Sequence, residues 1–300
     1  MGVQGRKRKD ICGSEFAGYV DPNVSGVDYK DIKDVPLSSY DAVLACIPDS
    51  PKVDLMKYCL ENGKHVLVEK PLWAESPKAL QELTSIANKT NAVCYTAYNH
   101  RFEPHFARMA ELIKSGVLGK IYSCRMFYGN GTARLVRDSA WRDKGGGVLP
   151  DLGSHLIDTC AFWFGDLART AKWKIISANR FENRSPDHVV AMTENAGMRI
   201  ELEMTLLMWR NHFTCDILAE KGSAHIESLC KWGPTKFIHR TRVLPSGRPA
   251  ETEDVLVQSD PTWQAEYEYF KSLINKKHKT DLSWDAELMT ILSNLEKDVA

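Results

Sequence analysis

Two short segments carry side chains that could transfer protons. Lys70 follows the apolar run Val66-Leu67-Val68-Glu69 and so leaves a buried strand at its carboxyl end, where open α/β sheets bind ligands. Asp151 and His155 open an apolar segment, and if that segment begins a helix they lie one turn apart on one face. An imidazole accepts a hydroxyl proton near neutral pH, and a nearby carboxylate can orient it. Lys70, Asp151 and His155 are therefore the predicted catalytic groups.

Each segment also has a purely structural interpretation. Glu69-Lys70-Pro71 could be a solvated turn, and a histidine beside an apolar helix could be part of the core. The carboxylate at Asp151 and the glycine-rich approach Gly145–Gly147 favour the functional interpretation for His155. Pro71 also permits a cis peptide bond after Lys70, which the sequence leaves open.

A glycine pair at the start of the chain indicates a phosphate-binding turn. Gly2-Val3-Gln4-Gly5 precedes the helix-compatible Arg6–Ile11, and the pair resembles the second half of a GxGxxG turn, which lets a helix N-terminus approach a pyrophosphate. Asp21 ends the next apolar run, where an acidic residue accepts hydrogen bonds from the adenosine ribose. Because its charge would repel a 2′-phosphate, the sequence predicts NAD rather than NADP. The basic run Arg6–Lys9 is interpreted as a solvated helix face near the pyrophosphate rather than a nucleic-acid patch.

A Rossmann fold places an apolar strand before this turn, yet the sequence starts inside the turn. Three or four aliphatic side chains of such a strand would contribute about 5 to 12 kcal/mol on burial. We therefore hypothesise that Met1 is an internal methionine and that the natural chain carries an upstream apolar strand and a glycine.

The remaining pattern predicts an α/β fold with two domains. Residues 1–98 alternate strand-like and helical stretches and are expected to form a Rossmann dinucleotide-binding domain with its first strand missing. Residues 99–300 are expected to form an α+β domain with a large, mainly antiparallel open sheet. The predicted strands are 16–21, 41–47, 65–69, 93–98, 121–129, 172–178, 189–194, 198–208, 212–219 and 223–228. The predicted helices are 51–62, 77–90, 104–115, 263–277 and 284–297.

Composition excludes several other classes of protein. Acidic and basic residues are balanced at 39 each, so no long-range field attracts nucleic acid or an anionic membrane. The apolar runs fall short of the roughly 20 residues that span a bilayer, and we expect a cytoplasmic protein. The eight cysteines form no CxxC pair, which predicts reduced, mostly buried thiols and no metal site.

Taken in order, these motifs resemble the glucose-fructose oxidoreductase, inositol dehydrogenase and MocA (Gfo/Idh/MocA) family of NAD(P)-dependent oxidoreductases. The resemblance implies hydride transfer between a sugar-like or polyol CH–OH carbon and nicotinamide, with His155 accepting the hydroxyl proton, Lys70 stabilising the alkoxide or relaying the proton, and Asp151 holding that geometry. It also implies a homodimer or homotetramer formed through the second-domain sheet. The cofactor-binding positions that it implies are Gly2, Gly5, Asp21, Ile47, Pro48, Glu69, Lys70 and Asn99. The substrate-binding positions are Arg101, Trp141, Arg142, Asp151 and His155.

Two departures and two alternatives accompany this interpretation. The first strand and first glycine are missing, and Ser50-Pro51 stands where relatives often carry a histidine. A non-catalytic dinucleotide-binding sensor or subunit and an NAD-assisted glycosidase would share much of the pattern. Arg134 and Arg137, predicted to lie in a loop, hint at a sugar acid or nucleotide sugar, although solvated loop arginines are the favoured explanation.

Overall fold

The computed structural model describes residues 2–139 and 142–299 and divides into two compact units. The first unit holds the residues up to Asn99 together with Trp263–Met289. The second holds His100–Thr262 and the residues from Thr290 onward. The predicted substrate residue Trp141 lies outside the described residues.

The first unit is built on a parallel three-stranded sheet in the order β1-β2-β3. Alternate residues of β2 face opposite layers: Val66 and Val68 pack into the cluster that contains α2 and α3, whereas Leu67 packs against Phe270 and Leu273 of α8. Burial on both faces explains why β2 is continuously apolar. The strands are β1 (Ala42–Ala45), β2 (His65–Glu69) and β3 (Cys94–Ala97). The helices are α1 (Val3–Cys12), α2 (Lys52–Glu61), α3 (Pro77–Thr90), α8 (Thr262–Asn275) and the start of α9 (Ser283–Val299).

The strand predicted at residues 16–21 does not form. The segment makes only an isolated parallel bridge between Val20 and Tyr29. A parallel strand needs a neighbour to bond its backbone groups, and in a Rossmann sheet that neighbour is the first strand. Among the described residues β1 pairs only with β2. The prediction that residues 16–21 form a strand of the parallel sheet was therefore wrong.

The second unit contains an eight-stranded sheet in the order β11-β10-β9-β8-β4-β7-β6-β5. All neighbours are antiparallel except β4 and β7, which agrees with the predicted mainly antiparallel sheet. Its strands are β4 (Ile121–Gly129), β5 (Lys174–Asn179), β6 (His188–Asn195), β7 (Met198–Thr205), β8 (His212–Ala219), β9 (Gly222–Glu227), β10 (Thr235–Thr241) and β11 (Ala250–Leu256). Its helices are α4 (Pro104–Lys114), α5 (Ala133–Arg137), α6 (Ser154–Phe164) and α7 (Asp166–Arg169).

One face of this sheet carries the core of the second unit. Phe106 of α4 packs edge-on to Trp163 of α6, with ring centres 5.2 Å apart, and lies 5.0 Å from Phe213 of β8. The core therefore fixes α6, the helix that carries His155, against both α4 and the sheet.

All eight cysteines are free thiols, and six of them are buried. Burial raises the pKa of Cys59 and of Cys46 to about 12, so these thiols stay protonated and unreactive. Within the described part of the chain, no helix combines the length and apolar character that crossing a membrane requires.

Candidate functional site

Five of the predicted cofactor-binding residues line one cavity of the first unit. Gly2, Gly5, Asp21, Ile47 and Pro48 all border a cavity of about 1690 Å³. They come from the start of α1, the loop after residue 20 and the carboxyl end of β1, which are distant in sequence. The structure thus brings together residues that were selected by motif alone.

Asp21 is held ionised at the edge of this cavity. Its carboxylate accepts the Asn23 backbone N–H and the Tyr19 hydroxyl, both at 2.9 Å. The hydrogen bond from Asn23, followed by the one from Tyr19, lowers the pKa of Asp21. A carboxylate has about four lone-pair positions, so Asp21 retains acceptors for vicinal hydroxyls while presenting a full negative charge.

The N-terminus of α1 is open to an anion. Gly2 is its N-cap in extended conformation, none of the described side chains caps the helix, and no acidic residue stands in its first turn. Apart from its two sequence neighbours, a methyl group at Gly2 would meet nothing within 4 Å in the described part of the chain. Helix N-termini of this kind bind phosphate groups. This helix end, with Asp21 bordering the same cavity, fits a dinucleotide such as NAD.

Arg8 was predicted to lie on a solvated helix face, but it is buried. Its side chain is 2% exposed, and its guanidinium binds Glu69 Oε1 through Nε at 2.9 Å and Nη2 at 2.8 Å. The same Nη2 lies 2.7 Å from the Glu266 carboxylate in α8. Glu69, predicted to bind cofactor, therefore tethers α1 to the end of β2.

A buried lysine that the sequence analysis overlooked fixes the turn around Lys70. Lys52 is 2% exposed, and its ammonium donates to the carbonyl oxygens of Glu69 at 2.8 Å and Pro71 at 3.0 Å, and to the Asp49 carboxylate at 2.7 Å. The Lys70-Pro71 bond is cis, one of the two geometries that the sequence allowed. Lys70 itself is half-buried at the end of β2.

In the second unit, Asp151 and His155 lie in consecutive helical turns. Asp151 belongs to the π-helical turn Leu149–Gly153, and His155 to the first turn of α6. Single π turns within helices are common at functional sites. Arg142, a predicted substrate residue, approaches Asp151 at 3.4 Å.

His155 is packed against a second histidine that was not selected from the sequence. The rings of His100 and His155 are stacked, with centres 4.0 Å apart and planes 18° apart. Tyr128 of β4 contacts both, at ring-centre distances of 5.4 Å from His100 and 6.3 Å from His155. His100 could have been selected from the sequence, because it stands between Asn99 and Arg101, two residues that were predicted to bind cofactor and substrate.

Arg101, predicted to face substrate, directs its guanidinium to Asp158 of α6. The pair is bidentate, at 2.9 and 2.5 Å, and Asp158 is 1% exposed. This pair joins Arg101 to the helix that carries His155. Asn99, its neighbour in the turn Asn99–Phe102, is buried.

The glycine-rich approach to Asp151 is required by a close backbone contact. Gly147 has φ +55°, and a methyl group there would lie 2.1 Å from the Pro186 carbonyl oxygen. Nearby, the buried Asp143 carboxylate accepts hydrogen bonds from the backbone and hydroxyl of Ser185, both at 2.8 Å, and from Arg184. Although burial acts to raise it, these bonds lower the pKa of Asp143 to about 2.

Arg134 and Arg137 lie on the short helix α5 rather than in a loop. Arg134 is 78% exposed, with its Nε 4.0 Å from Glu182, and Arg137 lies 3.9 Å from Asp138. Their surroundings match the solvated interpretation.

Comparison with known protein families gives two matches along the chain. Residues 15–98 match the oxidoreductase family with the NAD-binding Rossmann fold, and residues 106–225 match the GFO/IDH/MocA C-terminal domain. The chain belongs to the Gfo/Idh/MocA family of oxidoreductases. The predicted family and fold class are thereby confirmed, together with the NAD-binding nature of the first domain.

Individual relatives are distant. The chain is 25% identical over 225 residues to a trans-1,2-dihydrobenzene-1,2-diol dehydrogenase of Xenopus laevis, covering 74% of this chain and 66% of that protein. It is 30% identical over 126 residues to the NADP⁺-dependent scyllo-inositol 2-dehydrogenase of Bacillus subtilis, covering 41% of this chain and 34% of the relative. The chain spans about one third to two thirds of the length of the first curated relatives.

Solved structures share the fold. GenD2 from gentamicin A biosynthesis, in complex with NAD, superposes with a TM-score of 0.77 at 16% identity, covering 99% of this chain and 91% of that chain. Levoglucosan dehydrogenase with NADH and L-sorbose gives 0.75 at 19% identity, covering 90% and 81%. The fold of this chain is therefore similar to that of these structures over 90% or more of its length.

Proposed function

We propose that this Gfo/Idh/MocA member is an NAD-dependent dehydrogenase that oxidises a CH–OH group of a sugar, polyol or sugar derivative. The observation that carries the proposal is the cavity of the first unit, where an open helix N-terminus and the ionised Asp21 supply complementary groups for pyrophosphate and ribose. Relatives named as dehydrogenases of inositol and D-glucoside support the substrate class.

In this proposal the cofactor takes the hydride and side chains of the protein handle the proton and the developing charge. When bound, NAD supplies the hydride acceptor. His155 accepts the hydroxyl proton through its imidazole, Lys70 stabilises the developing alkoxide with its ammonium or relays the proton, and Asp151 helps to hold that geometry. Lys52 keeps the Glu69-Lys70-Pro71 turn in place, so Lys70 is presented by a fixed backbone.

Asp21 favours NAD over NADP for an electrostatic reason. Its lowered pKa keeps the carboxylate charged at physiological pH, and a 2′-phosphate carrying about two negative charges would be repelled at the same place. Because one relative is named as NADP⁺-dependent, any assay of this protein should include both NAD⁺ and NADP⁺.

The test is a panel of sugars, cyclitols, sugar acids and nucleotide sugars, each incubated with NAD⁺ or NADP⁺ and followed by NADH or NADPH absorbance. We expect reduction of NAD⁺ with at least one substrate class. Binding of NAD without net reduction by any member would favour a sensor or subunit, and release of an aglycone without net reduction would favour an NAD-assisted glycosidase.

We further propose a cytoplasmic homodimer or homotetramer that associates through the open face of the eight-stranded sheet. Alternation along β4 supports this surface: Cys124, Met126 and Tyr128 are buried, whereas Arg125 is exposed and Phe127 is half-buried. Light scattering would measure the mass in solution, and a monomer at micromolar concentration would contradict the proposal.

A further inference from the structure

Lys231 is an exposed lysine next to the aromatic cluster that holds His155. Its ammonium donates to the Tyr128 hydroxyl at 3.1 Å and lies 4.7 Å above the centre of the Trp232 ring. Across residues 2–139 and 142–299, no carboxylate forms an ion pair with Lys231. The Lys231 ammonium therefore contacts two aromatic side chains, and the buried Glu103 carboxylate interacts with it electrostatically without forming an ion pair.

The turn that presents Lys231 is fixed by a buried carboxylate. Lys231 is the middle residue of the 3₁₀ turn Cys230–Trp232, and Glu103, itself 2% exposed, accepts the Cys230 backbone N–H at 2.9 Å. Gly233 ends the turn with φ +117°, a conformation that other residues rarely adopt. Because the backbone is anchored, a ligand that binds the lysine need not order a loop.

Tyr128 connects this lysine to the proposed catalytic histidine. Its ring centre lies 6.3 Å from that of His155 and 5.5 Å from the Lys231 ammonium. A hexose that carries one ionic substituent is long enough to contact groups on both sides of such a ring. Trp232, half-buried next to Tyr128 at 5.7 Å, adds a flat apolar surface of the kind that packs against sugar C–H groups.

We infer that Lys231 binds a negatively charged substituent, a carboxylate or a phosphate, of the sugar derivative that is oxidised at His155. The inference rests on the proposed function and narrows its substrate class to anionic sugars. An ammonium has three N–H donors, and with one directed to Tyr128, two remain for an anionic oxygen. Such charge-assisted bonds are stronger than neutral ones, so Lys231 should bind an anionic oxygen more tightly than a sugar hydroxyl.

The test compares matched neutral and anionic sugars on the full chain and on three variants. The pairs are glucose with glucuronate, glucose with gluconate, and glucose with glucose 6-phosphate; inositol and inositol monophosphate provide a cyclitol pair. The variants are Lys231→Gln, Lys231→Arg and the control Lys236→Gln, which removes a nearby lysine that is paired with Glu253 at 3.4 Å. Both kcat/KM and ligand binding by calorimetry are measured, so that recognition is observed even without turnover.

We expect the wild type to favour an anionic member, and Lys231→Gln to lower kcat/KM or affinity for that member by about 10- to 100-fold, the range for one charge-assisted hydrogen bond. For the neutral member, Lys231→Gln should change kcat/KM and affinity by less than about twofold. Lys231→Arg should retain most of the preference for the anionic member. The control Lys236→Gln should resemble the wild type. Added salt should reduce the preference for the anion. A larger effect on the phosphate than on the two carboxylates would identify a sugar phosphate, and the reverse a sugar acid.

The outcomes separate this inference from the proposed function. Turnover of neutral sugars with no anionic preference, or equal losses for both members in Lys231→Gln, would overturn the anionic subsite and leave the dehydrogenase proposal intact. Anion binding that depends on Lys231 without any NADH formation would support the subsite and contradict the dehydrogenase. Binding of neither class would overturn the subsite.

Discussion

At the scale of single residues, the proposed chemistry depends on an ammonium and an imidazole. Lys70 stands at the end of a buried strand, and His155 stands in the first turn of a helix and is stacked on His100. Both positions are fixed by neighbours that take no part in proton transfer. Substitutions can therefore remove a reacting group without removing the element that carries it.

We predict that Lys70→Ala and His155→Ala each lower turnover by about 10²- to 10⁴-fold, the usual contribution of a positioned proton-transfer group. NAD should still bind to both variants, because Gly2, Gly5 and Asp21 remain in place; Lys70→Ala removes one predicted cofactor contact and His155→Ala removes none. Steady-state rates and calorimetric NAD binding check this. Lys78→Ala, which removes an exposed lysine of α3, is the control. Full activity in either of the first two variants would remove that residue from the mechanism.

Asp21 is predicted to set cofactor preference. Asp21→Asn keeps the shape of the side chain but removes its charge, so NAD should bind about 10-fold more weakly through loss of charge-assisted hydrogen bonds. NADP should bind more tightly than before, since the repulsion of its 2′-phosphate is gone. The ratio of the two dissociation constants is the readout, and an unchanged ratio would contradict the assignment of Asp21 to the ribose.

At the scale of elements, α6 is held by a buried ion pair. Arg101 and Asp158 bond bidentately, and Asp158 is 1% exposed. Removing one partner of a buried pair leaves an uncompensated charge. Since Arg101 is 27% exposed, water screens part of that penalty, and we predict that Asp158→Ala lowers the free energy of unfolding by about 2 to 3 kcal/mol.

Urea unfolding measures this loss. The matched comparison is Arg125→Ala, which breaks the pair with Glu201 and removes a side chain that is 70% exposed; it should cost less than about 1 kcal/mol. Equal losses in the two variants would show that the buried pair does not stabilise α6.

Asp143 joins the segment after Arg142 to the turn at Arg184 and Ser185, and its bonds are pH-dependent. Its folded pKa is lowered to about 2, against about 3.9 for an unfolded aspartate. The stabilisation is fully present above the unfolded pKa and is lost as the pH falls through the folded one. The stability difference between wild type and Asp143→Asn should therefore shrink between about pH 4 and pH 2. Chemical unfolding at a series of pH values tests this, and a pH-independent difference would exclude the carboxylate's charge as its source.

Elements with a strong local pattern were predictable from sequence. The strand at His65–Glu69 and the helix at Pro77–Thr90 match the predicted bounds, because continuous apolar residues and an N-terminal proline are local signals. β10 and β11 were missed: β11 is a largely exposed edge strand rich in acidic residues, so it lacks the apolar alternation that the prediction used.

The site residues that belong to a local motif were predictable from sequence. Those whose position depends on ion pairs between residues far apart in the chain were not. Gly2, Gly5 and Asp21 were selected by type and spacing, and they line one cavity. The burial of Arg8 could not be predicted, because its partners Glu69 and Glu266 lie far along the chain. Basic residues are expected at the surface unless a paired carboxylate is known.

At the scale of the whole molecule, β1 is an edge strand of the three-stranded sheet. In a doubly wound fold the corresponding strand lies in the interior of the sheet, with a neighbour on each side. Within the described residues β1 bonds only β2, and its first three residues are half-buried. All four of its residues line the same cavity as Asp21. That cavity, about 1690 Å³, exceeds the roughly 300 to 1,000 Å³ of small-molecule pockets.

We predict that an added strand stabilises this unit and improves cofactor binding. The change is an N-terminal extension of five or six β-branched residues followed by glycine, able to bond in parallel with β1. Burial of its side chains should raise the free energy of unfolding, with part of the gain offset by the entropy of ordering the extension. NAD should bind more tightly, because the turn at Gly2 would be anchored on both sides. The control carries proline at two central positions, which removes donors that the strand needs. Urea unfolding and calorimetry provide the readouts, and equal stability of the two extended proteins would show that the edge of β1 does not accept a strand.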